Sequence, residues 1–165
     1  MFSLERSQMK LIDVNPRSEI HGEEHKTAAD LKFELKCSND ILSEFHPLLK
    51  SSLFGPADGP QGDLLPSDAG HFPSLRFPLM GPIKWGKDFQ GYTVRIHWGM
   101  SGKDDIVLDT CAVDGFRFEC LDGGTVVVRF RVQAHPEPVP LGRLCSLIQQ
   151  AVEVSLEPPP ESGEG

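Results

Sequence analysis

Residues 105–133 read DIVLDTCAVDGFRFECLDGGTVVVRFRVQ. Three runs, DIVLDTCAV (105–113), FRFECL (116–121) and TVVVRFRVQ (125–133), are divided by Asp114-Gly115 and by Asp122-Gly123-Gly124. Apolar and polar residues alternate within each run, as in a strand with one buried face and one wet face. Asp-Gly is the signal of a two-residue type I′ hairpin. It predicts a turn at 114–115 that pairs Val113 with Phe116 and Cys111 with Phe118. At the second break, a two-residue loop would set Phe116 opposite Arg129, whereas a three-residue loop sets Phe116 opposite Phe130 and Phe118 opposite Val128. Only the longer loop keeps the apolar residues on one face, so the sequence predicts a three-residue turn with a left-handed glycine. Val126, Val128, Phe130 and Val132 then join Phe116, Phe118 and Cys120 in the core.

The same period extends outward. TAADLKFELKC (27–37) alternates cleanly, and MKLIDV (9–14) is its expected partner, stopped by Asn15-Pro16. LRFPLM (75–80), YTVRIHW (92–98) and AVEVSLE (151–157) read as further strands. SNDILSEFHPLLKSSLF (38–54) reads as a short helix capped by Ser38 or Asn39 and interrupted at Pro47. LGRLCSLIQQ (141–150) has helical spacing and follows the rigid connector HPEPVP (135–140). Residues 55–74 carry too many glycines and prolines for regular structure and read as one long loop. The expected fold is mainly β: an antiparallel β-sandwich or flattened barrel with two short helices, forming one domain over 1–157, with 158–165 as a disordered tail.

Composition narrows the function. The chain has 165 residues and a formal net charge of −8, which disfavours general duplex-DNA binding through phosphate neutralisation. Its acids are interleaved with bases, which argues against DNA mimicry. The start MFSLERSQMK has no signal-peptide apolar run, and no stretch approaches the roughly 18 apolar residues of a membrane helix. Cys37, Cys111, Cys120 and Cys145 form no C-x-x-C pair and read as buried thiols of a cytoplasmic protein.

HGEEH (21–25) matches the H-x-x-E-H of inverted zinc proteases, which present both histidines on a helix. Gly22 lies inside the motif and a strand begins within two residues of His25, so a polar hairpin tip is expected instead. His21, Glu24 and His25 are the weak metal candidates; no cofactor is expected. There is no G-x-S-x-G, and WGMSGKDD (98–105) lacks P-loop spacing. By alternation, Arg95, His97, Arg117, Arg129 and Arg131 project from the wet side of one meander. Glu119 is placed to neutralise Arg117 and Arg129, which is the purely structural reading. The functional reading is a basic sheet face holding an acidic partner or single-stranded nucleic acid, with Tyr92 or Trp85 for stacking. Trp98 falls on the core phase.

The segments DVNPRSEIHGEEHKTAADLKFELKCSNDILSEFHPLL (13–49) and DTCAVDGFRFECLDGGTVVVRFRVQAHP (109–136) resemble small uncharacterised proteins of bacteriophage and prophage early regions. The resemblance implies a DNA-metabolism accessory or a host-defence inhibitor acting in a bacterial cytoplasm, and carries over no site residues. The leading expectation is a non-enzymatic phage-type binding protein that docks a sheet face or the 55–74 loop on a protein partner, without membrane contact. The alternatives are a single-stranded nucleic-acid accessory protein using the arginine face and a metal-dependent enzyme at HGEEH. A homo-oligomer is left open.

Overall fold

The computed structural model describes residues 2–56, 72–98 and 102–160. The interior of the 55–74 loop and the last residues of the expected tail therefore lie outside the described residues. The elements are strands β1 (Leu4–His21) and β2 (Glu24–Ser38), a 3-10 helix (Asn39–Glu44), helix α1 (Leu49–Leu53), strands β3 (Phe54–Gly55), β4 (Ser74–Leu75), β5 (Ile83–Trp85), β6 (Phe89–His97), β7 (Ile106–Leu121) and β8 (Thr125–Ala134), helix α2 (Pro138–Ser146) and strand β9 (Ala151–Glu157). The fold is mainly β, and it is a barrel rather than a sandwich. The main sheet runs β5-β7-β6-β9-β1-β2-β8, and β7 also pairs with β8, so six antiparallel strands close on themselves.

Two compact units are distinguished: 1–35, 86–116 and 129–165 form the first, and 36–85 with 117–128 form the second. The first is packed around phenylalanines. The Phe116 ring meets Phe2 and Phe89 edge-on at 5.6 Å each and stacks on Phe130 at 5.8 Å, and Phe130 stacks on Phe33 at 5.5 Å. Such contacts add to the large apolar area that each ring buries. Tyr92 is also fully buried, and its hydroxyl donates to the Phe2 carbonyl.

Most of the predicted strands are present, with four corrections. Asp114-Gly115 is not a turn. Strand β7 runs straight through it, with Gly115 at φ +65°. Buried positions fall at Cys111 and Val113 before it and at Phe116 and Phe118 after it, so the inward phase moves by one residue. That is what a bulge with a left-handed glycine does. Asp-Gly supplies the same backbone conformation to a hairpin or to a bulge, and the side-chain partners of Asp114 decide for the bulge. A second shift lies at Tyr92/Val94, where β7 holds an extra residue near Thr110, itself at φ +55°.

Pro16 does not stop β1, which continues to His21 with Pro16 opposite Ala29. β1 pairs with β9 only over Leu4–Lys10, so Pro16 sits where one side of the strand has no ladder for the missing N–H to break. LRFPLM is not a strand: only Ser74–Leu75 is extended, and residues 76–82 form an irregular turn around Pro78. The helices number three among the described residues, because Pro47 separates the 3-10 helix from α1; the expected connector 135–140 is cut short, its last three residues forming the first turn of α2.

The three-residue turn at Asp122–Gly124 is present, with Gly123 at φ +97° and Gly124 at φ +92°. It belongs to the second unit. There Gly124 accepts from the Asn39 backbone N–H at 2.9 Å and Gly123 donates to the Pro73 carbonyl at 2.8 Å. Ser38 caps the 3-10 helix, its hydroxyl accepting from the Asp40 N–H at 3.2 Å. Phe45 packs against Phe118 at 4.8 Å and against Trp85 at 6.1 Å. Of the thiols, Cys111 is buried and pushed up to about 12, whereas Cys145, expected inside, is exposed.

Phe116→Ala removes the ring that joins three others, and is expected to destabilise the fold by about 3–5 kcal/mol in denaturant unfolding. A loss under about 1 kcal/mol would contradict the packing described.

Candidate functional site

HGEEH forms the tip of the β1–β2 hairpin, with Gly22 at φ +67° and the pairs His21↔Glu24 and Ile20↔His25 on either side of the turn. Neighbouring residues of a strand point to opposite faces. His21 and His25 therefore diverge, and the H-x-x-E-H pattern does not bring its two histidines together. His25 Nδ1 lies 3.4 Å from the Ser18 hydroxyl on the other face.

His21 instead shares its face with Glu19, two residues back, and with His135, just past the end of β8. Glu19 Oε1 accepts from His135 Nε2 at 2.8 Å and from His21 Nε2 at 3.2 Å. The two imidazoles meet edge-on at 6.3 Å. The other carboxylate oxygen, Oε2, takes the Arg17 guanidinium, which also donates to Asp30 at 3.1 Å. Hydrogen bonds from His135, His21 and Arg17 hold the Glu19 carboxyl down at about 2. Glu19 and His135 went unseen as partners of His21. The signal for Glu19 was available, since alternation puts it beside His21. His135 is distant in sequence and needed the strand order.

The expected basic face is largely neutralised from within. Arg129 Nε donates to Glu34 at 2.9 Å. Arg131 grips Asp114 with two parallel bonds of 2.8 and 2.9 Å, and Gln133 adds a third at 2.8 Å. Arg95 lies 3.8 Å from Glu157. His97, expected on the wet face, has a side chain only 8% exposed, between Asp105 at 3.1 Å and the Ser155 hydroxyl at 2.7 Å. The Trp98 backbone N–H is the main cause holding the Asp105 carboxyl below its usual range, with His97 adding to it. Arg117 is exposed and belongs to the second unit. Neither expected stacking residue is free: Tyr92 is fully buried, and Trp85 packs against Phe45 and Phe118. Trp98, expected in the core, is half-buried under the Arg143 guanidinium at 4.8 Å.

The second unit carries a different kind of surface. Residues 76–82 form a turn closed by Met80 N–H donating to the Phe77 carbonyl at 3.1 Å, with Gly81 at φ +74°. Its start is tied down by Arg76, whose backbone N–H donates to Leu53 at 3.0 Å and whose Nε donates to the carbonyls of Ser51 and Phe54 at 2.8 and 3.0 Å. The turn nevertheless shows Phe77 at 53%, Leu79 at 99% and Met80 at 48% exposure. Beside it runs a groove of about 280 Å³ lined by Leu53, Leu75, Phe77, Met80 and Ile83 together with the acids Glu119 and Asp122. Three large apolar side chains in four residues are thus exposed together on an anchored turn, unlike the singly exposed Ile20, Leu48, Val107 and Val139.

The Asp114–Arg131 pair yields a pH test. Hydrogen bonds and charge from Arg131 hold the buried Asp114 carboxyl below its ordinary value. A depressed carboxylate contributes stability that is complete above its unfolded pKa of about 3.9 and is lost as pH falls through the lower folded value. Asp114→Asn is therefore expected to cost about 2–3 kcal/mol at pH 7. The gap from the parent protein should close on acidification from pH 4 downward in unfolding titrations. A gap that does not change with pH would contradict the pairing. No family model matches the chain, and neither does any curated protein or solved structure.

Proposed function

We propose that the chain is a non-enzymatic binding protein that docks on a partner protein through the Phe77–Gly81 turn and the groove beside it. The observation that carries this reading is the anchored turn presenting Phe77, Leu79 and Met80 to water. Covering them gains about 25 cal/mol for each Å² of apolar area removed from solvent. Their backbone is already held by the Arg76 bonds and by the Met80–Phe77 hydrogen bond, so less ordering is left to oppose binding. The occupant that fits is an apolar segment carrying a basic residue, which meets Asp122 in the groove lining and a chain of net charge −8. The resemblance to phage early-region proteins supports a setting in DNA metabolism or host-defence inhibition. Single-stranded nucleic acid is the less favoured occupant, because Arg95, Arg129 and Arg131 already face carboxylates of the same chain.

A photo-activated cross-linker placed at Leu79 is expected to give one discrete protein adduct in the native cell. The same cross-linker at Val139, exposed but on α2, is expected to give none. Once that partner is identified, Leu79→Asp should weaken its binding at least tenfold, about 1.4 kcal/mol, with thermal unfolding unchanged. Equal labelling from both positions, or unchanged affinity of the Asp variant, would overturn the reading.

A further inference from the structure

We propose that Glu19, His21 and His135 form a binding site for one divalent transition-metal ion of the zinc or nickel class, with a further coordination position open to solvent. The site is independent of the apolar turn. One ligand atom from each of the three residues lies within 4.8 Å of the others. A tetrahedral zinc with bonds of about 2.0–2.1 Å holds its ligand atoms about 3.3 Å apart. The two measured contacts to Glu19 Oε1, 2.8 and 3.2 Å, already fall near that spacing. An ion between them requires that His135 back away slightly from the carboxylate, that the two imidazole nitrogens, within 4.8 Å of each other, close toward the tetrahedral spacing, and that both rings carry their protons on Nδ1. It then replaces the two N–H donors that now share one oxygen.

Two imidazoles and a carboxylate are a ligand set suited to zinc, nickel or copper, and a poor one for magnesium or calcium, which take oxygen. The carboxylate is oriented from behind. Oε2 is held by Arg17, itself held by Asp30, which leaves Oε1 aimed at the imidazoles. Outer partners of this kind fix ligand geometry in known metal sites. The ligands also come from separate places in the chain: Glu19 and His21 at the end of β1, and His135 after β8. An ion here adds to the Arg17–Gln133 hydrogen bond of 3.4 Å that already reaches from β1 across β2 to β8. His21 has a side chain more than half exposed, so the remaining coordination position faces water.

The test is titration of chelator-treated protein with Zn(II) by calorimetry and with Co(II) by visible absorption. The expected result is one equivalent bound, with ligand-field bands of a low-coordinate Co(II) site and joint shifts of the His21 and His135 ring nitrogens in NMR. His21→Ala, His135→Ala and Glu19→Gln should each weaken binding by about a hundredfold, while His25→Ala leaves it unchanged. The substituted side chains lie at the surface, and circular dichroism checks that each variant is folded. Absence of stoichiometric binding overturns the proposal. So does binding that survives His135→Ala, or that His25→Ala abolishes, since either would place the ion on the hairpin tip alone.

Discussion

The Asp114 carboxylate, gripped by Arg131 and Gln133 from β8, is the contact on which the strand order rests. It lets β7 pass through Asp-Gly as a bulge instead of folding back. Had the chain turned there, residues 116–121 would have folded back on 105–113, and the continuous strand Ile106–Leu121 would have become two. As it is, β7 reaches both β6 and β8, and the ring of six strands closes. Closure leaves only the short β5 at a sheet edge, where a sandwich would have had more edges to protect. The bulge also sets which residues face inward. Moving the phase by one at Gly115 turns Phe116 toward Phe2, Phe89 and Phe130.

The fold was legible in the sequence wherever side-chain alternation decides it. Phe33, Val128, Phe130, Val132 and Val154 are all fully buried or nearly so, as their phase requires. The three-residue turn after Leu121 was also legible, because only that loop length keeps Phe116 and Phe130 on one face. What alternation leaves undetermined is how local signals are used. Asp-Gly fits a hairpin and a bulge equally well, and long-range partners choose between them. Asn15-Pro16 is a strand breaker only if both strand edges are paired. RFPLM looked like a strand because its apolar residues are dense. Pro78 and the Arg76 anchors bend it into a turn instead.

The candidate sites were less legible, for a related reason. A basic face was read from the spacing of Arg95, Arg129 and Arg131. The carboxylates that answer them, Glu157, Glu34 and Asp114, all come from other strands. The histidine pair at HGEEH was tempting in sequence, yet the turn at Gly22 sends its members to opposite faces. The pair that does meet, His21 and His135, has no sequence spacing to advertise it. Charge and apolar surface are thus divided in this chain. Its arginines are largely consumed by internal pairing, while three of the seven exposed large apolar residues among the described residues sit on one turn.

The most direct test of this account is the pattern of backbone nuclear Overhauser contacts made by β8 in solution. The account requires β8 amides and α-protons to contact both β2 and β7, with β7 continuous from Ile106 to Leu121. Strong cross-strand contacts between Cys111 and Phe118 would mean that Asp114-Gly115 is a hairpin after all. The barrel would then be open, and the core built around Phe116 would need a different explanation.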